Sequence, residues 1–211
     1  MNSSVVIRST AGTGNAGPTI VSATFLLLCT PVLTYLQGER TELEPWSGEK
    51  SVDFGKGAGI RKVRLLDCPD VFSVHEAMSI PNVSSRFCTA PEVWNLLFGF
   101  SKSVMPPALL ANRDAMQALA LFSEPIVRAV DKLVGAANIM LLDATAADGR
   151  TVQVRHSHPD LEEAVGIGTA AFCMEILHGR VEAGVHWPSE MESNRAEVMR
   201  RAKKNAEYTI I

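Results

Sequence analysis

Several things that would label a sequence at once are missing from this chain of 211 residues. Its four cysteines, Cys29, Cys68, Cys88 and Cys173, stand far apart and form no C-x-x-C pair, which gives neither a zinc ribbon nor a dense disulfide framework. They are expected to be reduced and buried, in a reducing compartment such as the cytoplasm or a plastid stroma. There is no excess of positive charge: the formal net charge is −3 and the isoelectric point is near 6.0. Such a chain has no field to gather phosphate backbones, so nucleic acid is excluded as a partner class. Internal repeats and low-complexity segments are also lacking.

Charge of either sign is absent from Ala11 to Gln37, and Ile20 to Leu36 is apolar enough to make it a weak candidate for a membrane span. Pro18, Pro31 and scattered Ser and Thr break the stretch into pieces of core-helix and strand length, so no span is expected. No positively charged leader with a small-residue cleavage site precedes it, which argues against a secretory signal.

What is present is an ordinary globular composition, 46% hydrophobic and 20% charged, in a length suited to one large core. Val5 to Arg8 is β-prone, and a helix opens at Pro18 and ends near Cys29. Strands are predicted at Val32 to Leu36, Glu39 to Leu43, Ser51 to Phe54, Arg61 to Leu66 and Val83 to Cys88, joined by short turns that imply an antiparallel meander. Helices then fill Pro91 to Val134, with Pro125 splitting the run. A hairpin of Ile139 to Thr145 and Thr151 to His156 turns at Asp148-Gly149. Another helix starts around Pro159 with Asp160, Glu162 and Glu163 in its first turn. The expected fold is α/β of the α+β type, a mixed, largely antiparallel sheet packed against helices, spanning 1–188. A charged helical tail follows over 189–211.

Gly12-Thr13-Gly14-Asn15-Ala16-Gly17 matches G-x-G-x-x-G and sits between a β-prone run and a helix, with Glu39 near the spacing of a ribose-binding acid. The dinucleotide fold needs further strand-helix crossovers, and the next fifty residues offer strands and turns. The bland reading is a glycine loop that brings a helix N-terminus close to something, with N–H groups able to meet an anion.

The stretches AGTGNAGPTIVSATFLLL, VDFGKGAGIRKVRLLDCPDV, VSSRFCTAPEVWN, LFSEPIVRAVDKLVG and HGRVEAGVHWPSEM together resemble the second domain of saccharopine dehydrogenase-like oxidoreductases, from about Val5 to Glu190. The resemblance implies an N-terminal dinucleotide-binding domain upstream of a mixed-sheet domain that covers the cofactor cleft and mediates dimerisation. This chain begins where such a first domain would be ending. NAD(P) is therefore implied by the resemblance, with none expected to bind this chain alone. The loop residues Gly12, Gly14, Asn15 and Gly17 would face the nicotinamide side of the cleft. No catalytic residue is carried over.

Arg86 could hold a carboxylate bidentately, and Trp94 with Asn95 could line the same substrate mouth. His156 and His158 share a strand face at a spacing that suits zinc, but the expected role is the end of an apolar face, with His158 capping the next helix, and no metal. Two functions follow: a non-catalytic structural or assembly subunit of a larger complex, or the substrate domain of an NAD(P)-dependent oxidoreductase whose cofactor domain lies on another chain. Both need a protein partner or a second copy.

Overall fold

The computed structural model describes residues 3–12, 17–134, 138–190 and 194–210, with side chains left aside at 7–12, 131 and 134. It is an α+β fold with an open, mostly antiparallel sheet of nine strands among the described residues. The first strand, β1 (Ser4–Gly12), is followed by helix α1 (Pro18–Leu27), whose proline occupies the first turn. Strands β2 (Val32–Leu36) and β3 (Glu39–Leu43) form a hairpin with the predicted bounds. Gln37 and Gly38 both take positive φ, 56° and 88°, as a two-residue turn with the handedness of its strands requires. A second hairpin joins β4 (Lys50–Asp53) to β5 (Ile60–Leu65).

Helix α2 (Pro69–Met78) comes next and interrupts the expected meander. It returns the chain so that β6 (Asn82–Ala90) lies parallel to β1 along its whole length, Ser4 opposite Asn82 and Gly12 opposite Ala90. The pairings from β2 to β6 are antiparallel, as the short turns lead one to expect, β6 against both β5 and β2, and the parallel pair at the centre of the sheet joins β6 to the distant β1. A parallel pair needs a long connection of this kind. Helices α3 (Glu92–Val104), α4 (Pro107–Leu110) and α5 (Arg113–Val134) follow, and α5 carries Pro125 inside it without ending there. Strands β7 (Asn138–Thr145) and β8 (Thr151–His158) make the long hairpin around Gly149, whose φ is 87°.

Helix α6 (Leu161–Leu177) is capped by Asp160, whose side chain accepts from the Glu163 N–H. The tail is more than a helix: α7 (Arg195–Ala202) leads into β9 (Glu207–Ile210), which pairs antiparallel with β8 and joins the sheet. Glu175 of α6 is fully buried and ion-paired with Arg180 and Arg201 at 3.3 and 3.5 Å, which fastens α7 to α6.

The sheet separates two cores because successive side chains alternate between its faces. On one face Cys88, Ile139 and Leu141 pack under Phe54 and Val63 of the β4–β5 hairpin. The hairpin tip is pinned to β8 by Arg155, which is almost buried and donates to the carbonyls of Phe54 and Lys56. On the other face Tyr35 and Val83 pack on Val71 of α2, and Leu28, Trp46 and Leu66 pack with Phe87 and Phe98. The four cysteines are free, but Cys173 is exposed, contrary to the expected burial. No helix among the described residues is long and apolar enough to cross a membrane; α1 ends at Leu27, and the rest of the apolar stretch is turn and strand.

Candidate functional site

Strands β1 and β6 run the same way, and two antiparallel pairings, β1 with β7 and β7 with β8, give β8 that direction too. All three strands end on one edge of the sheet, and each is followed by a helix, α1, α3 or α6. The last rungs lie level across four strands: Thr89 pairs with Ala11, Ala11 with Asn138, and Asn138 with His158. Carboxyl ends of like-directed strands with helix N-termini above them are where α/β sheets hold ligands, and the candidate site residues belong here or fail to reach it.

Gly12 is the final residue of β1, opposite Ala90. Gly14 and Asn15 lie outside the described residues. Gly17 precedes α1 in the N-cap position, and a Cβ added to it would come within 3.2 Å of a Glu162 carboxylate oxygen on α6. The N-terminus of α1 thus already has an acid of the same chain beside it, an arrangement the helix dipole favours.

Asn95 is buried at 1% exposure and fully engaged. Its carboxamide accepts from the Thr89 N–H at 2.9 Å and donates to the Thr89 carbonyl at 2.8 Å, extending β6 by one artificial rung, and it also donates to Glu92. Trp94 stands next to it on the wall of a pocket. Arg86 is not brought to them. It follows the opposite strand face from Phe87 and Thr89, and its guanidinium donates to the Gly48 carbonyl in the loop before β4. Burial pulls the Arg86 guanidinium below its ordinary value.

His158 completes the row, at 1% exposure. Its Nδ1 accepts from the N–H of Asp160, the capping residue of the next helix, at 3.0 Å, so it braces that cap, and the proton then sits on Nε2. That Nε2 has no hydrogen-bond partner. Burial, then the neighbouring His158, lowers the basicity of His156. Among the described residues no group of three or more His, Cys, Asp or Glu is placed to hold a metal ion.

The pocket beside Trp94 was not visible in the sequence. Its volume is about 320 Å³, and α1, the end of β6, α3 and α5 wall it. Its contributors are apolar residues that read as ordinary core positions, such as Phe25, Phe98 and Ile126. The one available signal was that the apolar residues of α5 cover more of its circumference than a single buried stripe needs.

No family model matches the chain, and no curated protein does either.

Proposed function

We propose that this chain is a partner-dependent, non-catalytic domain, a structural or assembly subunit built like the substrate half of saccharopine dehydrogenase-like oxidoreductases. The observation that carries the reading is the outer stripe of α3, where Val93, Leu96, Phe100 and Val104 are 49%, 61%, 63% and 56% exposed. These positions recur at helical spacing, and an apolar stripe at that spacing is normally the face a helix buries. Left open on the carboxyl side of the sheet, it marks a surface that another chain covers. The polar groups nominated for substrate contact support the same reading, since Asn95 holds β6 and Arg86 holds the Gly48 loop.

A second reading is favoured by the three strand ends with helices above them: the substrate domain of an NAD(P)-dependent oxidoreductase that receives its cofactor from a dinucleotide-binding domain on another chain. Sedimentation of the purified chain across a wide concentration range, compared with Leu96→Glu and Phe100→Glu, tests the first reading. Association that both substitutions abolish is the expected result; a clean monomer at every concentration, with no partner recovered from its native extract, overturns it. Calorimetry with NADPH separates the two readings. A dissociation constant near micromolar, about −8 kcal/mol, needs a formed cofactor pocket, and finding one in the isolated chain overturns the non-catalytic reading.

A further inference from the structure

The pocket between α3 and α5 is distinct from the outer stripe of α3, since its wall uses Trp94, Leu97, Phe98 and Ser101 on the inner side of that helix. The geometry points to a binding site for one uncharged, hydrocarbon-like small molecule, a short acyl or isoprenoid chain or its alcohol, seated over Phe87 with Phe25 and Phe98 at its back.

Three observations carry this. First, not one residue of the wall is ionisable. An ionised ligand group would lose its hydration there and find no counter-charge, at a cost that no apolar contact offsets. Second, polar groups are few, and two of the four hydroxyls in the wall are already spent. Thr24 Oγ1 donates to the Ile20 carbonyl at 2.9 Å, and Ser123 Oγ donates to the Ala120 carbonyl at 3.0 Å, both within their own helices. A sugar, nucleotide or amino acid needs several convergent polar partners, and a pocket with few of them selects against such ligands. Third, the aromatic wall is set by contacts that do not need a ligand: the Phe25 and Phe98 rings meet edge to face at 5.1 Å, and Phe98 meets Trp46 in the same way at 5.5 Å. The space is therefore pre-formed, and its volume of about 320 Å³ is at the small end of ligand sites, suited to one chain or ring system. Its lip, with Phe122 78% and Ile126 55% exposed, lets such a molecule enter without crossing a polar barrier.

The test is a fluorescence titration of the full chain with N-phenyl-1-naphthylamine, an uncharged probe that brightens in apolar surroundings, followed by competition with straight-chain alcohols. Saturable binding of one probe per chain is expected, displaced by the alcohols with an affinity that rises about fourfold per added methylene until the pocket is full. Ser101→Phe and Val127→Trp fill the space from α3 and from α5 respectively, and each should weaken probe binding at least tenfold with the circular dichroism spectrum unchanged. Leu133→Ala, on α5 but outside the wall, should leave binding as it was. Non-saturable brightening, equal affinity for short and long alcohols, or binding that survives both filling substitutions overturns the assignment. So does a self-association that Ser101→Phe dissolves, because a protein segment would then be the occupant. Leu96→Glu and Phe100→Glu do not touch the wall, so this inference and the partner-dependent reading fail separately.

Discussion

Asn95 and Thr89 are joined by two hydrogen bonds, 2.9 and 2.8 Å, in which a side-chain amide occupies the place of a neighbouring strand. This contact ties the first turn of α3 to the end of β6, while Trp46 holds the same helix through the Asn95 carbonyl and the Phe98 ring. Asn95→Ala leaves the Thr89 N–H and carbonyl without partners in a half-buried site, and unmet groups cost about 1–3 kcal/mol each when buried and less where water reaches them. A loss of about 2–4 kcal/mol in urea unfolding is expected. Asn95→Asp cannot donate to the Thr89 carbonyl and should not restore stability. A loss below about 1 kcal/mol in either variant would show that α3 is held by its apolar contacts alone.

Arg155 spans the sheet to the tip of the β4–β5 hairpin, donating through Nε to the Phe54 carbonyl at 2.7 Å and through a terminal nitrogen to that of Lys56. Glu207 of β9 lies 3.6 Å from its other terminal nitrogen. The planar fork reaches two carbonyls at once, which a lysine ammonium does not. Arg155→Lys should therefore destabilise nearly as much as Arg155→Leu, about 2–3 kcal/mol. Hydrogen exchange should quicken in Lys50 to Leu65 before it does elsewhere. Full rescue by lysine would count against the two-carbonyl clamp.

The four thiols should react in an order set by exposure and ionisation. Cys173 is exposed, and Cys88 is fully buried. Burial, with the Asp70 carboxylate adding to it, pushes the Cys68 thiol up to about 12. The thiolate is the reactive form, so alkylation at pH 8 should mark Cys173 first and leave Cys68 and Cys88 until the chain unfolds. Mass spectrometry after timed quenching reads the order. Early labelling of Cys68 would contradict its environment.

Glu197 is held at about 2 by hydrogen bonds from Arg200 and Arg201 on the same helix. A depressed carboxylate contributes to the folded state above its ordinary value of 4.5 and loses that contribution as the pH falls through its folded value. The grip on α7 should therefore weaken between about pH 4.5 and 2. Because the group is half-exposed at the surface and screened, the effect is local. NMR of the α7 amides should show this titration in the native chain and lose it in Glu197→Gln. An unchanged profile in that variant would move the cause elsewhere.

The bounds of β2 and β3 and the start of α1 were legible because local chemistry decides them: a two-residue turn at Gln37-Gly38 and a proline in the first turn at Pro18 leave little choice. The β7–β8 hairpin was legible from Asp148-Gly149 for the same reason. Helix α2 was not, since Val71, Phe72 and Val74 are β-prone residues that become helical only by packing on Tyr35 and Val83. Missing it did not change the direction of β6, which still runs antiparallel to β5; the parallel partner β1 was hidden because about seventy residues separate the two strands in sequence. Strand β9 carries only four residues and gains its structure from the edge of β8. Trp94 and Asn95 do stand side by side on α3, but no residue pattern signals that Asn95 spends its amide on the backbone. Arg86 does not share a mouth with them, because strand alternation turns it to the other face, where it meets the Gly48 carbonyl. The glycine fingerprint showed the limit of a letter match. Gly12 and Gly17 do lie between a strand and a helix, but Glu162, 145 positions further along than Gly17, is what meets the helix end.

The place of β1 in the sheet also governs how the chain can be made. Its nine residues are hemmed between β6 and β7, with Ser4 paired to both Asn82 and Thr145. During synthesis this strand leaves the ribosome before either neighbour exists, and it must wait with both edges bare while more than half of the domain is translated. Closing such distant pairs carries a loop-entropy cost and makes folding slow. An unpaired apolar strand is also a template for wrong partners. Chaperone demand during translation should therefore fall sharply once Thr145 has emerged, and chains that stall before that point should aggregate.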